Sequence, residues 1–427
     1  MGEVIKIRKE IFVAPADTSY KEVLEDFGIS RETKTVDIDL EVPSNFEVLY
    51  ITGESGSGKS LILNTAFTET IIDEKEFVNT QLIKMGKSVD DTLRILNMLG
   101  IGDAALFTLC PNQLSDSQRS RARIAKMVID GNKEIVLDEF LSTLDRTTAK
   151  SVAYNVQKVM RSLGIRLIVA TAHNDLKEYL KPDIIIKGSA FPSDFDVQMY
   201  FIDDYVNNPI IDDIVIENVD KEAYREERLG EIHYKGKYSG GKQEYFFAYL
   251  KGEVVGLLVT NNLISSDTRR ISRVVVHPTF RGVGIAQELI RHCIKESDVK
   301  IDTLAAMAKY NPVFERAGMI RVDDVKVSSP SGLKKGLRER RFDLELWGSI
   351  DECERFCQNE SNRMFLSEFS KHTNKLIQPG GRAITDEERA KIIKEDARTA
   401  GRVLWSFRER TMAKYESRYK DVFHNVK

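Results

Sequence analysis

Cysteine is scarce in this chain of 427 residues, and Cys110, Cys293, Cys353 and Cys357 are scattered along it. That excludes a disulfide framework, and the Cys353–Cys357 spacing is wrong for a zinc knuckle and suits one helix face instead. Long apolar runs are missing too. Stretches such as Ile135–Leu137 and Leu167–Ala170 fall far short of the roughly 20 residues that span a bilayer. The opening Met1-Gly2-Glu3-Val4-Ile5-Lys6 has no apolar secretory stretch, and Lys6 stands where a myristoylation signal wants Ser or Thr. Charge of one sign is lacking, since the net value is −3 with 30% of residues charged. Whole-chain charge therefore neither argues for nor excludes a polyanionic partner. No internal repeat or low-complexity segment is visible. These absences lead to an expectation of a reduced, cytoplasmic protein with no membrane partner. With 42% hydrophobic residues, the chain can bury ordinary cores in two or three domains.

Residues 4–14 and 36–42 read as strands, the second from the alternation of Val36, Ile38, Leu40 and Val42. Phe46–Thr52, Ile135–Leu137 and Leu167–Ala170 are short apolar runs of the kind buried in parallel sheets. Helical patterns follow Leu61 and fill Thr147–Ser162, an alternation that predicts a parallel sheet covered by helices. The texture changes near the acidic stretch Asp203–Asp213, which carries Asn207-Asn208-Pro209. Beyond it Tyr245–Leu250, Val254–Thr260 and Ser272–Val276 read as consecutive strands, with a helix after Gly284. From Trp347 the pattern is helical and charged, broken at Pro379-Gly380-Gly381.

Gly53-Glu54-Ser55-Gly56-Ser57-Gly58-Lys59-Ser60 is a complete phosphate-binding loop between a strand and a helix. Its glycines let backbone N–H groups converge on phosphate oxygens, Lys59 faces the β and γ phosphates, and the Ser60 hydroxyl suits magnesium. Glu134–Glu139 is an apolar strand ending in two carboxylates. Asp138 suits the magnesium, and Glu139 suits polarisation of an attacking water. The alternative for this pair is helix capping. Ser142–Asp145 forms a turn, and His173 follows the strand Leu167–Ala170, where a γ-phosphate sensor would sit. Leu114-Ser115-Asp116-Ser117-Gln118 heads a helix bearing Arg119, Arg121 and Arg123. In chain order, with Leu114–Gln118 between the phosphate loop and the acidic strand end, the motifs of roughly residues 1–200 resemble an ABC-type ATPase domain. The resemblance implies ATP and Mg2+ as cofactors. It implies ATP contacts from Gly53–Ser60, Gln81 and Ser115, and metal contacts from Ser60, Gln81 and Asp138. It also implies a head-to-tail homodimer on ATP binding. Two departures stand out. Asp116 and Ser117 replace both glycines of the family's Leu-Ser-Gly-Gly-Gln, which puts rapid hydrolysis in doubt. Only a compact helical segment fits between Lys59 and Ser115. No long heptad arm interrupts the domain, which weighs against a Rad50-like clamp.

A second turn, Arg281-Gly282-Val283-Gly284-Ile285-Ala286, follows Val274-Val275-Val276-His277-Pro278 and opens a helix carrying Leu289, Ile290 and Cys293. Such a turn can aim successive N–H groups at a pyrophosphate. With Tyr310-Asn311-Pro312-Val313-Phe314-Glu315-Arg316-Ala317-Gly318-Met319 downstream, the segment 212–346 resembles the GNAT N-acetyltransferase family. The resemblance implies acetyl-CoA, or another acyl-CoA, held by Val274, Val275, Val276, Arg281, Gly282, Val283, Gly284, Ile285, Ala286, Asn311 and Phe314. It implies attack of an amine on the thioester, with a backbone N–H of the splayed strand polarising the carbonyl. The family's usual tyrosine, four residues before the glycine, is Phe314 here and cannot donate a proton. Tyr310, one turn earlier, is the substitute, and His277 is either a base or a surface residue before a proline.

The expected fold class is therefore multidomain α/β. An ABC-type ATPase occupies 1–205, a GNAT-like acyltransferase α+β domain occupies 210–346, and a helical C-terminal extension occupies 347–427. The architecture resembles a prokaryotic and phage group of ABC-ATPase–acetyltransferase fusions. The expected catalytic residues are Glu139, His173 and Tyr310. The basic stretch Lys334–Arg341, and Trp405, Phe407, Tyr415 and Tyr419 among basic residues, raise DNA or RNA as the amine-bearing substrate. An amphipathic helical layer is the plainer reading of that tail. The competing functions are a protein or small-molecule N-acetyltransferase regulated by ATP-driven dimerisation, and a non-catalytic assembly protein switched by ATP.

Overall fold

The computed structural model describes residues 4–13, 26, 34–189, 195–232, 243–262, 268–305, 307–327, 329–372, 385–406 and 410–417. The chain divides into two compact units. One is Met1–Ile214 with His277–Ile285, the other Val215–Val276 with Ala286–Lys427.

In the first unit, β1 (Val4–Val13) and β2 (Lys34–Pro43) form an antiparallel pair. A five-stranded sheet follows, built from β3 (Val48–Gly53), β4 (Glu134–Leu137), β5 (Arg166–Thr171), β6 (Ile184–Gly188) and β7 (Phe195–Met199) in the order β4-β5-β3-β6-β7. The first four in that order run parallel and β7 closes the edge antiparallel. Every residue of β3 is buried, as a strand covered on both faces requires. Among the described residues its helices include α1 (Lys59–Ala66), α2 (Glu74–Asn79), α3 (Val89–Met98), α4 (Asp116–Ile129), α5 (Arg146–Leu163) and α6 (Lys177–Leu180). Polar side chains start several of them. Asp73, Ser88, Ser115 and Asp145 each accept a first-turn N–H. Leu49, Ile51, Ile62, Leu63, Val136, Ile168 and Ile186 lie in one apolar core, which joins β3, β4, β5 and β6 to α1.

The second unit is organised on a seven-stranded sheet in the order β13-β14-β12-β11-β10-β9-β8. Its strands are β8 (Ile214–Val219), β9 (Gln243–Leu250), β10 (Glu253–Asn262), β11 (Thr268–Val276), β12 (Lys300–Ala305), β13 (Ile320–Val327) and β14 (Arg410–Glu416). Its helices include α7 (Lys221–Glu226), α8 (Ile285–Lys295), α9 (Val313–Arg316), α10 (Leu333–Glu339), α11 (Ile350–Phe356), α12 (Glu360–Ser367), α13 (Asp386–Glu395) and α14 (Ala397–Ser406). β11 and β12 are parallel, and their ladder runs only from Thr268↔Lys300 to Ile271↔Thr303. Beyond it β11 stays with β10, while Leu304 and Ala305 of β12 pair with β14. The two strands therefore splay, leaving a wedge beside Ser272–Val276.

Among its described residues, the segment expected as a helical extension is helical up to Ser406. β14 then returns to the sheet and lies between β12 and β13, antiparallel to both. The helices α10–α14 are thus an insertion before the last strand. They bury their own core of Leu333, Leu337, Trp347, Cys353, Cys357, Leu366, Val403 and Leu404. The break expected at Pro379-Gly380-Gly381 lies outside the described residues.

Candidate active sites

Because β3, β4 and β5 are parallel neighbours, their carboxyl ends share one edge of the sheet, where ligands of open α/β sheets collect. The three ends lead to the phosphate loop, to Asp138-Glu139 and to His173. Gly53 ends β3 at φ 145, a conformation side chains rarely adopt. It faces Gly188 at the end of β6, and a Cβ on Gly53 would stand 2.5 Å from the Gly188 carbonyl oxygen. The glycine therefore lets β3 and β6 close beneath the loop. Lys59 is buried, and its ammonium donates to the carbonyls of Gly53 (3.1 Å) and Glu54 (2.7 Å). Ser57 Oγ is buried without a hydrogen-bond partner among the described residues. Glu54, Ser55, Gly56 and Ser60 are exposed. A buried cation under an exposed glycine turn fits a phosphate chain, and the exposed Ser60 hydroxyl would suit a metal held beside it.

Asp138 is half-buried and Glu139 exposed. Asp138 Oδ1 accepts the Glu139 N–H at 2.8 Å. Glu139 (φ 49) and Leu141 (φ 57) are both left-handed, which costs about 1–2 kcal/mol each in a non-glycine residue. Strain of this kind collects at functional sites. The segment ends at Asp145, which caps α5. The Thr148 hydroxyl and N–H hold the Asp145 carboxyl below its usual range. His173 Nε2 lies 3.1 Å from the Leu141 carbonyl oxygen. Its own carbonyl accepts from Thr52 (3.1 Å) and Tyr50, both on β3. The histidine thus ties the strained turn after β4 to the ends of β5 and β3.

Ser115 and Gln118 form a reciprocal capping box at the start of α4. The positions between them lie in the first helical turn, where Asp116 favours the helix dipole. Its carboxylate is 72% exposed and sits 3.7 Å from Arg119. Gln81, half-buried, precedes a short 3₁₀ turn at Leu82–Lys84. Among the described residues its side chain makes no hydrogen bond to Ser60 or Asp138. Among the described residues, no cluster of three His, Cys, Asp or Glu side chains could hold a metal.

Val274, Val275 and Val276 lie on β11 beside the wedge. The turn after β11 packs inside the first unit. The Arg121 guanidinium, fully buried on α4, donates to the carbonyls of Thr279 (2.9 Å), Arg281 (3.1 Å) and Leu99 (2.9 Å). Burial, with Arg281 nearby, pushes Arg121 down to about 10. From α5, Ser151 donates to Thr279 O at 2.6 Å and Lys158 donates to Gly282 O. Asn208 donates to Val283 O at 2.8 Å. Gly282 is at φ 89, and a Cβ there would meet the Asn155 amide at 2.5 Å. Arg281 lies 3.7 Å from Asp103. Val283 and Ile285 are buried, while Gly284 and Ala286 are half-buried. His277 Nδ1 accepts the Thr279 N–H at 3.3 Å, so its ring caps this turn. Sequence inspection singled out Arg121 only as one arginine among several. It missed Ser151, Asn155 and Lys158, whose spacing of four and three marks one helix face.

Asn311 and Phe314 are half-buried around α9, and Tyr310 is half-buried with Lys309 5.5 Å from its ring centre. Tyr415 on β14 stacks on Phe314 (5.4 Å between centroids) and donates to Glu315 Oε1 at 2.9 Å. Burial first, then Glu315, pushes the Tyr415 hydroxyl up to about 12. Of the tail aromatics, Tyr415 is fully buried, while Phe407 and Tyr419 lie outside the described residues and nothing is described of the Trp405 ring.

A sequence model of the acetyltransferase (GNAT) family matches residues 212–313. Methionine import ATP-binding protein MetN 1 of Oceanobacillus iheyensis is 35% identical over 79 residues, 18% of this chain and 23% of that protein. MetN of Clostridium tetani is 25% identical over 213 residues, 39% of this chain and 65% of that protein. The chain thus spans less than two-thirds of the length of these curated relatives. A solved ATP-binding cassette, a dimer in a post-hydrolysis state with ADP and Pi, covers 46% of this chain and 98% of its own. Its identity is 18% and its TM-score 0.32, too loose a likeness to carry an argument. The chain joins an ABC-type ATPase domain in its N-terminal part to a GNAT acetyltransferase domain.

Proposed function

We propose that this chain hydrolyses ATP at the Gly53–Ser60 loop and transfers an acyl group, acetyl in the first instance, from acyl-CoA to an amine. The convergence of the loop, Asp138-Glu139 and His173 at the ends of three neighbouring parallel strands carries the ATPase part. Lys59 neutralises phosphate charge, Glu139 polarises the attacking water, and His173 positions the γ-phosphate. Ser60, Gln81 and Asp138 would hold Mg2+, which supplies charge neutralisation at the β and γ phosphates. Ser115 and Asp116 are exposed at the start of α4, and this supports a head-to-tail homodimer formed on ATP binding. No helix among the described residues is long and apolar enough to cross a membrane, and we place the protein in the cytoplasm.

The acyl-transfer part rests on the wedge beside β11 and on the Arg281–Ala286 turn. The amine nitrogen bonds to the thioester carbonyl carbon, and the C–S bond breaks. The amine's proton leaves to a base, and the thiolate takes up a proton from Tyr310. A β11 N–H among Val274–Val276 polarises the carbonyl. Asn311 and Phe314 line the acyl-CoA groove.

The acceptor we favour is a nucleic-acid base, supported by the exposed cations Lys335, Arg338, Arg340 and Arg341 on and after α10. The test incubates the full chain with ATP, Mg2+ and labelled acetyl-CoA, offering RNA, DNA, peptides and small amines in turn. Label on nucleic acid, lost in Lys59→Ala, supports the reading. Label on peptide or amine that persists in Lys59→Ala favours the ATPase as a regulator of a different acceptor. Failure to bind acetyl-CoA leaves an ATP-switched assembly role. Absence of DNA and RNA binding at low salt, where phosphate contacts are strongest, removes the nucleic-acid acceptor.

A further inference from the structure

The turn expected to grip the acyl-CoA pyrophosphate is fastened, within the first unit, to α5, which follows the Asp138–Leu141 end of the ATP site, and to α4. α5 begins at Asp145, directly beyond the strained Glu139–Leu141 segment. Its Ser151, Asn155 and Lys158 form one stripe against the turn. α4 begins at Ser115 and carries Arg121. Thr279, Arg281, Gly282 and Val283 each give their carbonyl to a side chain of this unit. In a planar trans peptide the C=O of one residue and the N–H of the next point in opposite directions. Anchoring the carbonyls of Arg281, Gly282 and Val283 therefore turns the N–H groups of Gly282, Val283 and Gly284 away from the ATPase side chains. Those three N–H groups have no acceptor among the described residues.

We propose that this anchoring makes the acyl-CoA turn respond to the nucleotide state, with Arg121, Ser151 and Lys158 as its positioning residues. The inference rests on the acyl-CoA reading of the Arg281–Ala286 turn given above. Helices move as rigid bodies when a bistable connection at one end switches. The connection here is Glu139–Leu141, whose two left-handed residues border the phosphate site. When ATP engages Glu139, a shift of α5 moves the Gly282 and Thr279 carbonyls, and with them the orientation of the three N–H groups. Arg121, Ser151 and Lys158 each donate to backbone carbonyls of the turn. They act through the backbone that they hold.

The test is calorimetric titration of acetyl-CoA into the full chain, with and without a magnesium-bound, non-hydrolysable ATP analogue. The expected result is an affinity change of about 5- to 150-fold between the two states, the usual range for coupled sites. Linkage requires ATP affinity to change by the same factor when acetyl-CoA is bound. Lys158→Ala and Ser151→Ala should bring the ratio towards one while ATP affinity without acetyl-CoA stays unchanged. Arg121→Lys, which loses the planar fork, should do so more strongly if circular dichroism shows it folded. Acetyl-CoA binding that is equal with and without ATP overturns the inference and leaves the acyl-CoA reading intact. A ratio unaffected by Lys158→Ala and Ser151→Ala also overturns it. No acetyl-CoA binding in either state overturns both.

Discussion

Replacing Gly53 by alanine should damage the ATPase unit far more than the same change at its partner, Gly188. At Gly53 the added Cβ meets the Gly188 carbonyl oxygen at 2.5 Å and the carbonyl carbon at 3.1 Å. Both are backbone atoms of a paired strand, so neither yields cheaply. The residue is also held at φ 145. Backbone strain of about 1–3 kcal/mol and overpacking of about 1–3 kcal/mol together give a cost of about 2–6 kcal/mol. At Gly188 the nearest atoms are a Phe195 ring carbon (2.8 Å) and the Ser57 hydroxyl (2.9 Å), both side chains. Only the overpacking cost of about 1–3 kcal/mol applies there. Domains of this size lose roughly 2–4 °C of Tm per kcal/mol, so Gly53→Ala should fall by about 4–24 °C and Gly188→Ala by about 2–12 °C. Scanning calorimetry of the full chain measures both, and the ATPase transition is the one raised by Mg-ATP. Equal shifts for the two variants, or a Gly53→Ala protein that melts and binds ATP like the parent, would refute the closure of β3 on β6 beneath the loop.

Glu139→Gln should keep ATP binding and lower steady-state phosphate release by about 10²–10⁴-fold, the usual contribution of a positioned base. Asp116→Gly removes a carboxylate from the first turn of α4 and should speed ATP turnover, while costing about 0.3 kcal/mol through helix propensity and about 0.3–1 kcal/mol through the lost dipole interaction; unchanged or slower turnover would count against repulsion at that position. Native-state alkylation should label Cys110 first, because Cys293, Cys353 and Cys357 are buried and burial pushes Cys293 and Cys357 up to about 12. The Tyr415 hydroxyl, raised from 10.0 to about 12 in the folded state, holds its proton there after the unfolded chain has lost it. Its stabilisation is complete below pH 10 and fades as pH rises to 12, so Tyr415→Phe should flatten the alkaline fall in Tm across that window.

What could be read from the sequence was local. The Gly53–Ser60 loop, the carboxylates after Ile135–Leu137 and the histidine after Leu167–Ala170 each declare themselves within a few residues. The alternation of apolar runs and helical patterns then implies parallel strands whose ends meet. β14 could not be read this way. Its partners, β12 and β13, precede it by more than eighty positions, and a helical insertion with its own core lies between. Tyr415 consequently looked like one aromatic in a basic tail, whereas it fills the sheet over Phe314. The contacts of Arg121 were equally hidden, since they pair one face of α4 with carbonyls some 158 to 160 positions downstream.

The replaced signature glycines show how local chemistry and function separate in this chain. Ser115 and Gln118 cap α4 through their own side chains and backbone, so the helix start is secured whatever lies between them. Asp116 then suits the helix dipole and pairs with Arg119 at the surface, a contact worth little in water. Stability therefore does not require glycine at 116 or 117. A glycine there would matter only for what approaches the helix from outside. The carboxylate that replaces it adds a negative charge where a partner's phosphate would arrive. The same helix carries Arg121 one and a half turns further on, where it is buried and rigidly held. One helix thus presents an unfavourable charge at its exposed end and a fixed grip on the turn after β11 from its buried face. On physical grounds, slow nucleotide turnover with a long-lived bound state suits this combination better than rapid cycling.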